Sequence, residues 1–577
     1  MNEVHSDKRD ATSRTPSDPA DAVVSRVTTN EIRSPHVPAH DGHSTEDTSN
    51  AMQSFRQYAV VFALFLSLFV AALDVSIVAT AAPTISNELS SAAGYTWIGG
   101  AFLLASVTTS AIWVKLSDIW GRKIILLTLL AWFSVASAIC ASAKTIDALI
   151  AGRALQGAAS GGLTLLVHVC ISDLFSLRKR SLLLGLTEGV WAVAGGLGPV
   201  LGGVFSSLIT WRWCFWINLP ISGLAAIIII YYLDIKHEYT SFTDGVKALD
   251  WSGMVTFLGC SVMLLLALDF GGVLFPWNSA KVIALFAAGG ILIFAFIYSE
   301  VKIAKNPLMP MGIFTKGVNV AIMVLTLCHG LAFMSAEYYL PLLLQSSLEA
   351  SPLQSGLLLL PFIVTTAISG IACGAFIHRT GRFQEILWVG ALFLCLGFGL
   401  FISFNIHSST ARIIGYQLIG GLGSGLLFET PIIAIQSQVR PEEVATATST
   451  LIFVRNIGIT LSVVIGGSFF QSSMDKQMTY LESAGLPWDL ISKFSGNKVM
   501  ANILSIKNIQ DQAWKTAVET AICLSMRNVW ILFTAVAFAG LVASLFIRQG
   551  HLSTEHTVTG TGLKKTQQDV AIPLQTV

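Results

Sequence analysis

Stretches of about twenty mostly apolar residues recur along this chain, and that recurrence limits its possible folds more than any other feature. A bilayer's hydrocarbon core, about 30 Å thick, is crossed by roughly twenty apolar residues in a helix. Fourteen such spans are expected, near 58–82, 94–114, 123–143, 147–171, 181–205, 213–233, 251–270, 280–299, 317–341, 353–377, 384–404, 412–435, 446–470 and 527–547. Only 12% of the 577 residues are charged and 53% are hydrophobic, against about 25% charged in ordinary soluble domains. Too few charges remain to cover a soluble globule, so the chain reads as one all-α polytopic membrane protein. Its 35 Lys plus Arg against 34 Asp plus Glu leave no basic excess for a nucleic acid partner.

The ends are different. Residues 1–55 are polar, rich in Ser, Thr, Asp, Pro and His, with no apolar run; they read as a disordered tail rather than a signal peptide. Residues 549–577 form a second polar tail. An even number of spans puts both tails on one side. The loops on that side carry most of the basic residues, including Lys115, Arg122, Lys123, Arg178, Lys179 and Arg180, whereas the opposite short loops carry only Lys144, Arg212, Lys281 and Arg412. By the positive-inside rule both tails are cytoplasmic, and the long loop 471–526 is external. The eight cysteines form no CxxC pair and read as small packing residues, not as disulfides or metal ligands.

The chain repeats itself. Val114 to Arg122 after span 2 aligns with Gly374 to Arg382 after span 10 at an offset of 260; Gly157 matches Gly420 at 263, and Gly202-Gly203 match Gly466-Gly467 at 264. The organisation that follows is a six-helix half (56–235), two inserted helices with their linkers (236–316) and a second six-helix half (317–548). Duplicated halves around a midplane site are the architecture of a secondary transporter.

At this point the residues carry a family resemblance. Asp118-Ile-Trp-Gly121-Arg122-Lys123 resembles the loop 2–3 signature of the major facilitator superfamily, and Arg153-Ala-Leu-Gln156-Gly157 its span 4 signature. Gly198-Pro199-Val-Leu-Gly202-Gly203 resembles the antiporter signature of span 5. Leu73-Asp74 through Pro83 is similar to span 1 of the fourteen-spanner drug:proton antiporters, and Trp211 through Pro220 and Leu249-Asp250-Trp251-x-Gly253 fit their fungal branch. Two positions depart: Val114 and Ala194 stand where the loop 2–3 and antiporter signatures usually open with glycine. The resemblance implies the major facilitator fold, proton coupling linked to Arg153, and a latch at Asp118, Gly121, Arg122 and Lys123 that holds and releases the two halves.

Ionisable side chains inside a membrane are costly, about 2.5–3.5 kcal/mol each on insertion scales, and a functional reading is the default. Asp74, Glu188, Glu337 and Glu429 fall within spans. Asp74, at the family's acidic position, and Glu337, 263 residues later, are the candidate proton-coupling acids beside Arg153. Each has a bland alternative, a structural acid or an interfacial one. Glu188 and Glu429, with the aromatics Trp191 and Phe333, are candidates to line a substrate cavity. An apolar, aromatic cavity with a few acids suits bulky amphipathic or cationic compounds. Gly198, Pro199, Gly202 and Gly203 are expected to pack closely and bend span 5. Arg455 in span 13 calls for a carboxylate partner, whereas His168 and His329 read as core residues.

No G-x-x-x-x-G-K-[ST] occurs, so ATP has no phosphate-binding loop, and no catalytic, metal or cofactor constellation stands out. The expected function is proton-driven export of a drug, toxin or secondary metabolite, a multidrug-resistance type of activity. The bilayer and a small molecule are its expected partners, with no obligatory protein partner, and the cell membrane its location. The alternatives are uptake of a siderophore or basic amino acid, a vacuolar carrier, and a non-transporting sensor.

Overall fold

The computed structural model describes residues 42–89, 94–235, 240–271, 275–304, 306–347, 350, 352–495, 499 and 502–554. The expected tails lie mostly outside them. The chain divides into two units, Met1–Ser54 and Phe55–Val577, and everything below concerns the second.

Among the described residues, fourteen helices are long and apolar enough to cross a membrane, from Ser54–Ala82 to Gln512–Ser544. They correspond one to one with the expected spans, but three ends or interiors differ. Span 13 runs on to Lys476, as the helix Val444–Lys476. Span 14 begins at Gln512 rather than 527, so the long loop shortens to 477–511. Lys515, Thr516, Glu519 and Thr520 lower the hydropathy of those first turns, yet Ala517, Val518, Ala521 and Ile522 between them are buried; helical periodicity, not mean hydropathy, marks this segment. Span 12 is broken into Thr410–Leu426 and Thr430–Gln438. Pro431, which has no N–H to give, stands at the start of the second piece.

The repeat is visible in three dimensions. Gly121 and Gly381 both have positive φ, 92° and 72°, and each closes the helix before it by donating its N–H to Ser117 (3.0 Å) or Ile377 (2.8 Å). A side chain at either would be strained, which explains two glycines 260 residues apart. Span 4 lies on span 2 as span 12 lies on span 10. A Cβ on Gly157 or Gly161 would strike the carbonyls of Phe102 or Ser106, and one on Gly421 or Gly425 the carbonyls of Phe362 or Thr366. Gly157 therefore corresponds to Gly421, at 264, and not to Gly420 as the sequence alignment suggests.

The halves meet along spans 5 and 10, with span 13 against spans 2 and 4. The closest approach joins Ser181 and Gly185 to Gly370 and Gly374: Ser181 Oγ donates to the Gly374 carbonyl at 3.2 Å, and a Cβ on Gly185 would come within 2.8 Å of the Gly370 carbonyl. The inserted spans 7 and 8 pack on one another and against spans 2 and 13. Phe257 of span 7 meets Phe296 at 5.5 Å and Phe453 of span 13 at 4.7 Å between ring centroids, in a cluster with Ala111 of span 2.

Replacing Gly161 or Gly425 by Ala is expected to cost about 1–3 kcal/mol through overpacking, lowering the melting temperature in detergent. Gly290→Ala, where nothing lies within 4 Å of the new methyl, is the control and should be neutral or mildly stabilising.

Candidate functional site

Asp74 is completely buried in the N-terminal half, and donors from two other helices surround its carboxylate. Arg153 Nη1 lies 2.5 Å from Oδ2. Gln156 Nε2 and Asn218 Nδ2 donate to Oδ1 at 2.7 and 2.8 Å. Arg153 and Gln156 are three apart on span 4, hence on one face, while Asn218 opens the main segment of span 6. Ser137 of span 3 accepts from Gln156 at 2.8 Å. Arg153 keeps other partners besides Asp74: the Gln156 Oε1 at 2.7 Å, the Ile98 carbonyl at 2.9 Å, and the Phe102 ring at 4.2 Å. Two sequence signatures thus converge on one carboxylate. The fungal-branch motif reaches it through Asn218, and its other end, Trp211-Arg212, holds Glu88 at 2.8 and 2.9 Å. The guanidinium of Arg212 lowers the Glu88 carboxyl below its usual range.

The antiporter motif is two residues along span 1 from this group. Ser76 Oγ donates to the Ala194 carbonyl at 2.9 Å. A Cβ on Gly198 would collide with Ser76, and one on Gly202 would come within 2.6 Å of the Ile77 carbonyl. Ala194, Gly198 and Gly202 form an i, i+4, i+8 stripe against span 1, so the departure at 194 keeps a residue small enough for the contact. A Cβ on Gly203 would meet nothing within 4 Å, so this glycine takes no part in the crossing. Pro199 lies inside the helix, which passes into a wider turn at Phe205–Ile209.

A second charged group sits at the seam between the halves. The break in span 12 frees the Phe428 carbonyl, because Ile432 and Ile433 both donate to Glu429 instead. Arg455 Nη2 donates to that carbonyl, and its guanidinium covers the Phe428 ring at 4.6 Å. Among the described residues it makes no carboxylate ion pair within 4.0 Å, contrary to expectation, although Glu429 and Glu188 act on it electrostatically. Glu429 stands immediately before the second piece of span 12, with no side-chain bond to its first turn, and faces His168 of span 4, Nε2 to Oε1, at 3.4 Å. Glu188 of span 5 brings its side chain within hydrogen-bonding reach of Glu429 and lies against Gly370. Phe333 adds an aromatic wall, 5.3 Å from Phe428, 6.1 Å from His329 and 6.2 Å from Phe362.

Glu337 does not join Asp74. It is half-buried on span 9 with no hydrogen bond among the described residues, and it is felt instead by Glu188. Trp191 packs with Leu73 and Ala194. The latch residues bind within the N-terminal half: Arg122 holds Asp118 at 2.5 Å and Asp173 at 2.8 Å, and Lys123 donates to the Ile230 carbonyl at 2.7 Å. The second copy of the motif is the one that crosses the seam. His378 Nδ1 meets the Arg178 carbonyl at 2.9 Å, and Gly381 packs on the Arg178 guanidinium. Sequence reasoning read His168 as a core residue and missed Ser137 and the carbonyl partner of Arg455. Gln156 entered it only as a motif position, and Asn218 only as part of the stretch from Trp211 to Pro220.

Two pseudo-symmetric six-helix halves, a buried acid cage and a polar seam define a membrane transporter, not an enzyme. A profile of the Major Facilitator Superfamily matches residues 64–463. The chain is 41% identical over 505 residues to efflux pump dotC of Dothistroma septosporum, covering 88% of this chain and 86% of that protein. It is 40% identical over 525 residues to MFS-type transporter ppz2 of Metarhizium majus, covering 90% of each. The human organic anion transporter MFSD10 shares the fold, with a TM-score of 0.53 at 15% identity over 83% of this chain and 99% of that one. The chain belongs to the major facilitator superfamily.

Removing one member of a buried ion pair strands the other, at about 3–5 kcal/mol. Arg153→Met should therefore destabilise the protein by that order in thermal melts. The double variant Arg153→Met/Asp74→Asn should recover part of the loss, the interaction term of a double-mutant cycle.

Proposed function

We propose that the chain is a proton-coupled antiporter that exports a small organic compound by alternating access, with Asp74 as the proton carrier. The observation that carries this reading is the Asp74 cage. A carboxylate at 0% exposure is stable there only while Arg153, Gln156 and Asn218 serve it. Taking up a proton removes the reason for the Arg153 contact, and Arg153 then falls back on Gln156, Ile98 and the Phe102 face. Both states have partners, so the group can alternate between them without leaving a bare charge.

The consequence reaches span 5. Asp74 and Ser76 share a helix, and Ser76 is bound to Ala194 where span 5 crosses span 1. A shift of span 1 on protonation is passed to span 5, whose other end forms the seam with span 10 through Gly185. Export is supported by the efflux pumps among the relatives. The charge bias of the loops supports cytoplasmic tails.

One proton moving down 100 mV supplies about 2.3 kcal/mol, enough for roughly fifty-fold accumulation. A pump-deleted yeast expressing the chain should hold less of a fluorescent cationic dye, and a protonophore should restore the control level. Asp74→Asn, at equal surface expression, should abolish the protonophore-sensitive part. Extrusion by Asp74→Asn that is equal with and without a pH gradient would remove Asp74 from the role.

A further inference from the structure

We propose that His168 and Glu429 form a second proton-binding site, shared between the two halves, whose proton helps hold the seam closed. Its use in transport rests on the proton-coupled reading above, but the site itself follows from hydrogen-bond chemistry. His168 Nδ1 lies 2.8 Å from the Thr164 carbonyl. A carbonyl can only accept, so Nδ1 carries the hydrogen. That leaves Nε2 facing Glu429 Oε1 at 3.4 Å. A bare ring nitrogen and a carboxylate both accept, and two acceptors do not bind one another. The contact therefore needs one proton between them, either on the imidazolium or on the carboxyl. Without it, two lone pairs confront each other inside the protein.

A second observation points the same way. Glu429 is 5% exposed, and with its carboxyl ionised its buried Oε2 has no hydrogen-bond donor among the described residues, the one side chain that reaches the group besides His168 being another acid, Glu188. A fully ionised carboxylate would be poorly served there, whereas a carboxyl group that shares a proton tolerates it better. The charged groups facing the pair come from three helices: Arg455 of span 13 acts on both members, and Glu188 of span 5 acts on Glu429. Glu337 of span 9 lies beyond Glu188.

The location gives the proton its effect. His168 belongs to the N-terminal half and Glu429 to the C-terminal half. One turn further along span 4, Ser172 Oγ accepts from Gln436 at 2.9 Å, so the pair is one rung of a ladder across the same seam. At 3.4 Å the rung is longer than the usual 2.7–3.2 Å, a contact that parts readily. Loss of the proton to water turns it from attraction to repulsion, and uptake of a proton from water restores it. The same span carries Arg153 fifteen residues away, about 22 Å along the helix, so a single rigid element links both proton sites.

The test uses the full chain in lipid nanodiscs without substrate. Deuterium uptake of segments 181–190 and 368–378, normalised for intrinsic exchange, is followed from about pH 5 to pH 9, a window that covers shifted histidine and carboxyl titrations. The wild type should show a one-proton rise in seam exchange as pH increases. His168→Gln and Glu429→Gln should each flatten that step, since an amide donates or accepts without titrating. Asp74→Asn should leave it intact, which separates this site from the transport role of Asp74. The swap His168→Glu/Glu429→His should bring the step back, and guards against a single variant that merely unfolds. The proposal is overturned if the wild type shows no step, if the step persists in both glutamine variants, or if only Asp74→Asn removes it.

Discussion

The contact on which the rest of this structure depends is the one between Asp74 and Arg153, an ion pair with almost no exposure on either side chain. Taking both charges out of water is expensive, and their attraction repays it only with additional hydrogen bonds. Those bonds dictate side chains on three helices, Gln156 on span 4, Ser137 on span 3 and Asn218 on span 6, and draw in the Ile98 carbonyl of span 2. The pair is therefore a packing constraint on most of the N-terminal half. Stability and chemistry cannot be separated at this point, because the donors that make the charged form tolerable also define what protonation would release.

The C-terminal half keeps the backbone of this arrangement and discards its chemistry. Span 12 still crosses span 10 on glycines, but Ser137 and Gln156 correspond to Gly397 and Gly420, at the offsets of 260 and 264, and these two glycines touch each other directly. Arg153 corresponds to Gln417, which is buried with neither amide atom hydrogen-bonded among the described residues. An aromatic group of Phe398, Phe401 and Trp530 fills the surrounding space. No cage exists there to receive an acid, which is why Glu337, equidistant from Asp74 by the sequence offset, ends up half-buried near Glu188 instead. Duplication has preserved helix crossings while the ionisable groups diverged.

What could be read from the chain follows from the physics each signal reports. Spans are legible because hydrocarbon thickness imposes a length, and the repeat is legible where backbone geometry demands glycine, as at Gly121 and Gly381. The start of span 14 was hidden because a half-buried amphipathic turn averages to a polar value. The break in span 12 was hidden because an average does not weigh Pro431 as a missing donor. Once the break is known, Arg455 needs no acid: a freed carbonyl and a ring face serve it. Partners such as His168 and Glu429, 261 residues apart, depend on how the halves dock, and no local pattern encodes that.

The two ionisable groups also occupy mechanically distinct places. Asp74 is enclosed by one half, so its protonation can change that half's internal packing but cannot itself pull on the other. Glu429, His168, Glu188 and Arg455 straddle the seam, where any rotation of one half against the other changes their separations. Spans 4 and 5 join the two groups: span 4 carries Arg153 and His168, and span 5 carries the Gly198 stripe and Glu188. The glycine contacts at Gly185 and Gly374 allow the halves to approach until backbone meets backbone. In the proposed cycle a rearrangement of the buried acid would reach the interface along these two helices, with small residues where they cross their neighbours.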